Sequence, residues 1–279
     1  MASDIRPGVA NTTAREGTAM RHGLSVLALI ASLGLLVSAC GGGGGGSKPP
    51  PITNAAVGGL WFGTVSPINE TADQAIGVIA EDGRAYFLDE WDRMYWGTVS
   101  STGNAITGRL TMADIYGYSL WDESYSAAVT LNGTVQARSA LTGNWELTTT
   151  NKGYKSGKLE LQYDQLYEDD SSLARIAGNY WDASSFSEDV INIAANGEIF
   201  EQLSYGSCVI NGQVSIINPA YNAYDVQYRY NGCATDDSYY GAEFRGLAFY
   251  DAADAILVVF AHRLNVTEPE PVVWLLVVP

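Results

Sequence analysis

The stretch LDEWDRMYW, residues 88–96, sets three carboxylates among three large aromatic rings: Asp89, Glu90 and Asp92 beside Trp91, Tyr95 and Trp96. Two carboxyl groups about 5–10 Å apart suffice to hydrolyse a glycosidic bond, one acting as acid and the other as base or nucleophile. Aromatic rings nearby offer flat stacking surface for a ligand. Tyr116, Tyr118 and Trp121 follow downstream, so Trp91, Tyr95, Trp96 and Trp121 define a candidate ligand face with acids at hand. The plainer reading makes the same rings the core and rim of a β-structure.

Other chemistries find less support. A serine or cysteine hydrolase needs a base beside its nucleophile, and His262 is the only histidine after His22. In AILVVFAHRL it shares an alternating face with Ile256, Val258, Phe260 and Leu264, which describes a strand histidine with a bonded partner. There is no G-x-S-x-G elbow, and the glycine run 41–46 lacks the strand before it and the Lys-Ser/Thr after it that a phosphate loop requires. One late histidine supplies no zinc ligand set. Asp169-Asp170 and Asp236-Asp237 lack the spacing of a calcium loop and read as solvated loop charges. No metal or cofactor is expected, and no catalytic residue is assigned.

The elements that would position these residues read as strands. Asp82-Gly83, Asn132-Gly133, Asn196-Gly197 and Asn211-Gly212 are each candidate two-residue hairpin turns between strand-like segments. In YDVQYRY, Tyr224, Val226, Tyr228 and Tyr230 alternate with Asp225, Gln227 and Arg229, and Leu159, Leu161 and Tyr163 alternate with polar residues in KLELQYD. That is period 2, with one face buried and one wet. No proline interrupts residues 68–218, as strands require. A short helix fits only within 164–176. The expected class is therefore all-β, an antiparallel meander forming one large or two small barrels or sandwiches.

A duplication is one reading of three echoes: Gly59-Leu60-Trp61 with Gly178-Asn179-Tyr180, IAEDGRAYF with IAANGEIFE, and ITGRLTM with VINGQVSI. It divides the body into an N-terminal lobe, 57–168, and a C-terminal lobe, 169–279, joined near 165–177. Without it, one barrel or sandwich of 14–16 strands fits equally well. VVWLLVV (272–278) is apolar on both faces and suits a strand that closes a barrel or lies between layers.

The N-terminal segment carries a different signal. Residues 24–37, LSVLALIASLGLLV, hold no charge and follow Arg21 and His22. Fourteen residues fall short of the ~20 that span a bilayer and suit the apolar core of a secretory signal. Met20 would open a compact version of it. Val37-Ser38-Ala39-Cys40 resembles the lipobox of bacterial lipoproteins. The resemblance implies a signal at 1–39 and cleavage before Cys40, whose sulfur is diacylated and whose new amino group is acylated. Gly41, where enterobacterial inner-membrane lipoproteins carry Asp, points by the same resemblance to the outer membrane, with the body either periplasmic or surface-exposed. Gly41–Gly46 and Ser47 then form a flexible tether stiffened by Pro49–Pro51, the linker ending near residue 56.

From Cys40 onward 12 Lys and Arg stand against 29 Asp and Glu, a net charge of −17. Such a surface repels phosphate backbones, so nucleic acid is not an expected partner. In the oxidising compartment that a signal implies, Cys208 and Cys233 are expected to form a disulfide. Cys208 lies three residues before the Asn211-Gly212 turn and Cys233 follows strand 224–230, which would run parallel to the strand holding Cys208 and bring both to one end of a sheet. The leading functional reading is a lipid-anchored, non-enzymatic binding or structural module with a protein or glycan partner. A lipocalin-like ligand carrier and a carbohydrate-binding or carbohydrate-active protein using residues 89–96 are the alternatives.

Overall fold

Alternating apolar and polar side chains, interrupted by short polar turns, fold this chain into two closed antiparallel barrels of eight strands each. The computed structural model describes residues 54–183, 190–202, 208–234 and 237–278; the signal, Cys40 and the tether lie outside them. Barrel 1 comprises β1 (Gly59–Pro67), β2 (Asp73–Ile79), β3 (Arg84–Asp89), β4 (Arg93–Thr102), β5 (Ala105–Asp114), β6 (Ala127–Gln136), β7 (Ala140–Thr149) and β8 (Tyr154–Asp164). A 3-10 turn, Gln165–Glu168, and a single-turn helix α1, Leu173–Ile176, lead to barrel 2. Its strands are β9 (Gly178–Asp182), β10 (Val190–Ile193), β11 (Glu198–Gln202), β12 (Val209–Ile216), β13 (Tyr224–Asn231), β14 (Glu243–Asp251), β15 (Ile256–Arg263) and β16 (Pro271–Val277). β8 closes on β1, and β16, the doubly apolar strand, closes on β9.

The barrels repeat each other in detail. Trp61 donates its indole N–H to the Val57 carbonyl at 3.2 Å, and Tyr180 donates its hydroxyl to the Ile176 carbonyl at 2.8 Å, each four residues back. The turns that follow match bond for bond: Gly83 N–H to Ala80 and Ala80 N–H to Arg84, against Gly197 N–H to Ala194 and Ala194 N–H to Glu198. Gly83 and Gly197 both have φ of +84°, a backbone that favours glycine. Two of the three sequence echoes therefore hold. The third does not, since ITGRLTM lies on the fifth strand of its barrel and VINGQVSI on the fourth.

Two of the four expected turns are corrected as well. Asn132-Gly133 and Asn211-Gly212 lie inside β6 and β12. Their glycines answer a close approach between strands rather than a reversal of the chain. A Cβ on Gly133 would sit 2.1 Å from the Thr142 carbonyl oxygen, and one on Gly212 2.4 Å from that of Gln227. The corresponding Gly246 of barrel 2 would meet the Phe260 carbonyl oxygen at 1.9 Å.

Inside barrel 1, Trp61, Ile79, Val99, Ile106, Met112, Leu141 and Leu161 are buried to within 1%. Barrel 2 is filled by Tyr180, Tyr224, Tyr228, Phe244 and Trp274 among others. The Tyr228 ring lies between Phe244 at 4.8 Å and Trp274 at 4.4 Å. Outward positions such as Thr130, Thr142, Asn144 and Glu160 are polar or partly exposed, the reverse of the apolar outer band of a membrane-spanning barrel. Among the described residues no helix is long and apolar enough to cross a membrane.

The barrels meet along one apolar seam. Leu60, Val78, Tyr86, Met94 and Trp96 on the outside of barrel 1 pack with Leu247, Phe249, Phe260 and Val273 on the outside of barrel 2. Asn222 fastens the connection by donating to the Leu166 and Tyr250 carbonyls at 3.1 and 2.7 Å, and Tyr167 stacks on Tyr221 at 5.1 Å. Arg84 pairs with Asp225 across the seam. His262 has the bonded partner expected of it, the Tyr86 hydroxyl at 2.9 Å, and stacks on Trp96 at 5.3 Å. Burial, reinforced by the Arg245 charge, pushes its imidazole down to about 4, so it is neutral at physiological pH.

The seam joins two different faces, a head-to-tail contact that could in principle repeat. Aligning the barrels by their matching turns puts Asn179, Asn192 and Asn211 of barrel 2 where barrel 1 has Leu60, Val78 and Trp96. Asn192 donates to Asn179 at 2.8 Å, while Trp181, Val190 and Phe200 on the same sheet face stay 41–49% exposed. Aligning Gly133 with Gly246 puts Thr134, Gln136 and Thr142 of barrel 1 where barrel 2 has Leu247, Phe249 and Phe260. At these positions the unpaired copy of each seam face is polar where the paired one is apolar.

Candidate functional site

Barrel 1 has two unlike ends. At the proximal end the chain enters: Ala55 N–H donates to the Gly103 carbonyl at 2.9 Å, and Ser101 donates to the Ala55 carbonyl at 2.7 Å. The distal end carries the loops 68–72, 90–92, 115–126 and 150–153. Residues 88–96 run down β3, through the distal turn and back up β4, so alternation sends their side chains in different directions.

Asp89 and Tyr95 point into the barrel mouth together with Asp73 and Arg93. Arg93 Nε bonds Asp89 Oδ2 at 2.7 Å and its Nη2 bonds Asp73 Oδ2 at 2.8 Å. The Tyr95 hydroxyl donates to Asp89 Oδ2 at 2.9 Å, and the Trp91 indole N–H donates to Asp73 Oδ1 at 2.9 Å. The Asp89 side chain is fully buried and that of Asp73 8% exposed. Burial pushes the Asp89 carboxyl up, while Arg93, the backbone N–H groups of Arg93 and Trp91, and Tyr95 pull it down without cancelling the rise. Both carboxylates that converge here are held by one guanidinium. Glu90 is exposed in the turn, and Asp92 adopts a left-handed backbone with φ of +59°.

Below this layer lies a cavity of about 40 Å³ walled by Val65, Phe87, Leu110, Leu131, Trp145, Leu159 and neighbouring apolar groups. It has room for a few waters at most, whereas small-molecule sites measure about 300–1,000 Å³.

The four rings of the candidate ligand face do not form one face. Tyr95 belongs to the mouth, and Trp96 is 8% exposed, covered by barrel 2. Trp91 and Trp121 do emerge at the same end, 62% and 46% exposed, with Tyr116 at 63% and Tyr118 at 69%. Tyr125, Tyr154 and Ile68, which sequence reasoning passed over, join them at 49%, 58% and 62%. Placement was the available signal for Ile68 and Tyr125, which lie in distal loops with no alternating face to bury them, while Tyr154 opens β8 at the same end.

These loops are tied down. Asp122 accepts from the Thr149 hydroxyl, from Ser124 N–H at 3.2 Å and from Gly153 N–H at 3.1 Å. Slight desolvation works against the Asp122 carboxylate, but these bonds win and hold it below the usual range. The buried Ser124 hydroxyl accepts from Asn151 N–H at 2.9 Å, and Ile115 N–H donates to the Asp92 carbonyl at 2.9 Å. Lys155 Nζ stands 4.7 Å from the Trp121 ring centre and bonds Glu70 at 2.8 Å. The Tyr116 and Tyr118 rings are 6.2 Å apart, and Asp114 accepts from both of their N–H groups at 2.8 and 3.2 Å. The result is a rigid rim of outward rings, larger than the scattered apolar exposure of an ordinary surface.

The other predicted pair, Cys208 and Cys233, is bonded in a disulfide with Cα atoms 4.1 Å apart. The route to it differs from expectation. β12 and β13 are antiparallel neighbours with Val209 opposite Asn231, so the start of one meets the end of the other. Among the described residues, the one cluster of metal-ligand types is this disulfide with Asp237, and its two sulfurs are bonded to each other. No family model matches the chain, and neither the curated proteins nor the solved structures contain a match to it.

Proposed function

We propose that this is a lipid-anchored lipoprotein of a bacterial outer membrane, a non-enzymatic binding module that meets its partner at the distal end of barrel 1. One observation carries the reading: seven large apolar side chains stand exposed, six on hydrogen-bonded loops and Tyr154 at the start of β8, at the end opposite the chain's entry. Tyr and Trp with fixed rings are the side chains that most often anchor protein interfaces, because they bury much area at little entropic cost. The described chain enters barrel 1 at the end opposite the rim, and a Gly-rich tether from Cys40 leaves the rim free to meet a partner away from the bilayer. Several acyl chains on one cysteine, at about 0.8 kcal/mol per buried CH₂, hold such a protein stably. The small barrel cavity and the Arg93 clamp on Asp73 and Asp89 support a binding surface over either a carrier or a glycosidase.

The intact mass of the membrane-extracted protein tests the anchor. The expected chain begins at Cys40 and carries acyl groups, and Cys40→Ala loses that acyl mass and the membrane association with it. A chain retaining residues before Cys40, or an unmodified Cys40, overturns the anchoring.

A further inference from the structure

We propose that the distal end of barrel 1 receives a lysine- or arginine-rich segment of a partner protein, its cationic side chains lying on the exposed rings and pairing with the carboxylates between them. The proposal rests on the reading of this end as the binding end and names the partner's chemistry. The distal loops and their flanks carry Glu70, Glu90, Asp92, Asp114, Asp122 and Glu123 at exposed or half-exposed positions, against Lys152 and Lys155. Arg93 adds nothing outside, since Asp73 and Asp89 hold it within the mouth.

The rim already shows how it treats a cation. Lys155 lies over the face of Trp121 while its ammonium bonds Glu70, a ring and a carboxylate acting together. Trp91, Tyr116 and Tyr118 offer the same combination beside Glu90, Asp92 and Asp114. Among the described residues no Lys or Arg pairs with these three acids. The Asp73 bond to the indole N–H fixes the Trp91 ring with its surface outward. Glu90 and its neighbours repel anionic lipid headgroups, and a neutral glycan would leave the carboxylates unused. A basic protein segment uses both ring and charge.

Three fluorescent probes should be titrated into the full acylated chain in zwitterionic nanodiscs: a peptide alternating Lys and Gly, a neutral oligosaccharide, and vesicles rich in anionic lipid. The peptide is expected to bind saturably. Affinity should fall about tenfold or more in Trp91→Ala/Tyr118→Ala and in Glu90→Gln/Asp92→Asn, and by a similar factor when salt is raised. Glu160→Gln, on the barrel wall, should leave it unchanged. Tyr118, Glu90 and Asp92 are exposed or half-exposed, whereas Trp91→Ala also removes the indole bond to the buried Asp73, so the melting transition and a Tyr116→Ala/Tyr118→Ala variant, expected to weaken the peptide likewise, separate lost folding from lost binding. If only the oligosaccharide or the vesicles bind, in a manner lost with the two aromatic side chains, the cationic partner is refuted while the binding end stands. If no probe responds to the aromatic variant, the proposal and the binding end both fall.

Discussion

Arg93→Met is expected to destabilise the protein by about 3–5 kcal/mol at neutral pH, the range for removing one partner from a buried ion pair. Methionine fills similar volume, so the loss reports charge rather than a void. Asp73 and Asp89 would be left facing each other in the barrel mouth with only neutral donors, chiefly Trp91 and Tyr95. The deficit should shrink on acidification. Burial already raises the Asp89 carboxyl in the intact protein, and losing Arg93 raises it further. A carboxyl raised in the fold favours the folded state below its unfolded value, near pH 4, and the benefit is lost as pH rises through the folded value. Denaturant melts of both proteins between about pH 4 and 7 should therefore converge toward the acid side. His262 has the opposite sign: held down to about 4, it removes stability as pH falls below its unfolded value, ~6.5. It does so in both proteins, and their difference isolates the mouth.

Replacing Cys208 and Cys233 by serine is expected to cost about 3–4 kcal/mol, from the chain entropy released when a loop of this length is opened. The two cysteines are separated by 25 residues and bound the hairpin β12–β13 at its distal end. The effect is read as a lowered denaturant midpoint of the double-serine variant relative to the oxidised parent, and as the same shift when the parent is reduced. The seam lies on the other side of barrel 2, along β14 to β16, so barrel 1 should keep its aromatic rim ordered while barrel 2 loosens first.

How much of this was legible in the sequence depended on the kind of signal. Period-2 alternation in β8 and β13 predicted which side chains enter the barrels, because a closed sheet buries one face of every strand. Asn-Gly was ambiguous. Gly83 and Gly197 satisfy a turn, while Gly133 and Gly212 satisfy close contact between strands, and one residue type serves both needs. Trp96 was misplaced for a related reason. Its outward position was readable, but the face of barrel 2 that covers it comes from residues about 150 positions later. Trp91 and Trp121 do emerge exposed at one end, yet grouping Tyr95 and Trp96 with them ignored that neighbours on a strand point to opposite faces. The doubled architecture was visible in two short echoes. The change of part of the seam face from apolar to polar in barrel 2 was not, because Asn179, Asn192 and Asn211 acquire meaning only once Leu60, Val78 and Trp96 are seen to be covered.

The tether end and the binding end should be opposite ends of barrel 1, and tryptophan quenching tests this most directly. The acylated full chain is placed in vesicles containing doxyl-labelled lipid and compared with Trp91→Phe/Trp121→Phe, so that the difference reports those two rings. The predicted result is quenching by aqueous acrylamide and none by the lipid label. Strong quenching by the lipid label, lost in the double variant, would lay the aromatic rim on the bilayer and contradict the account.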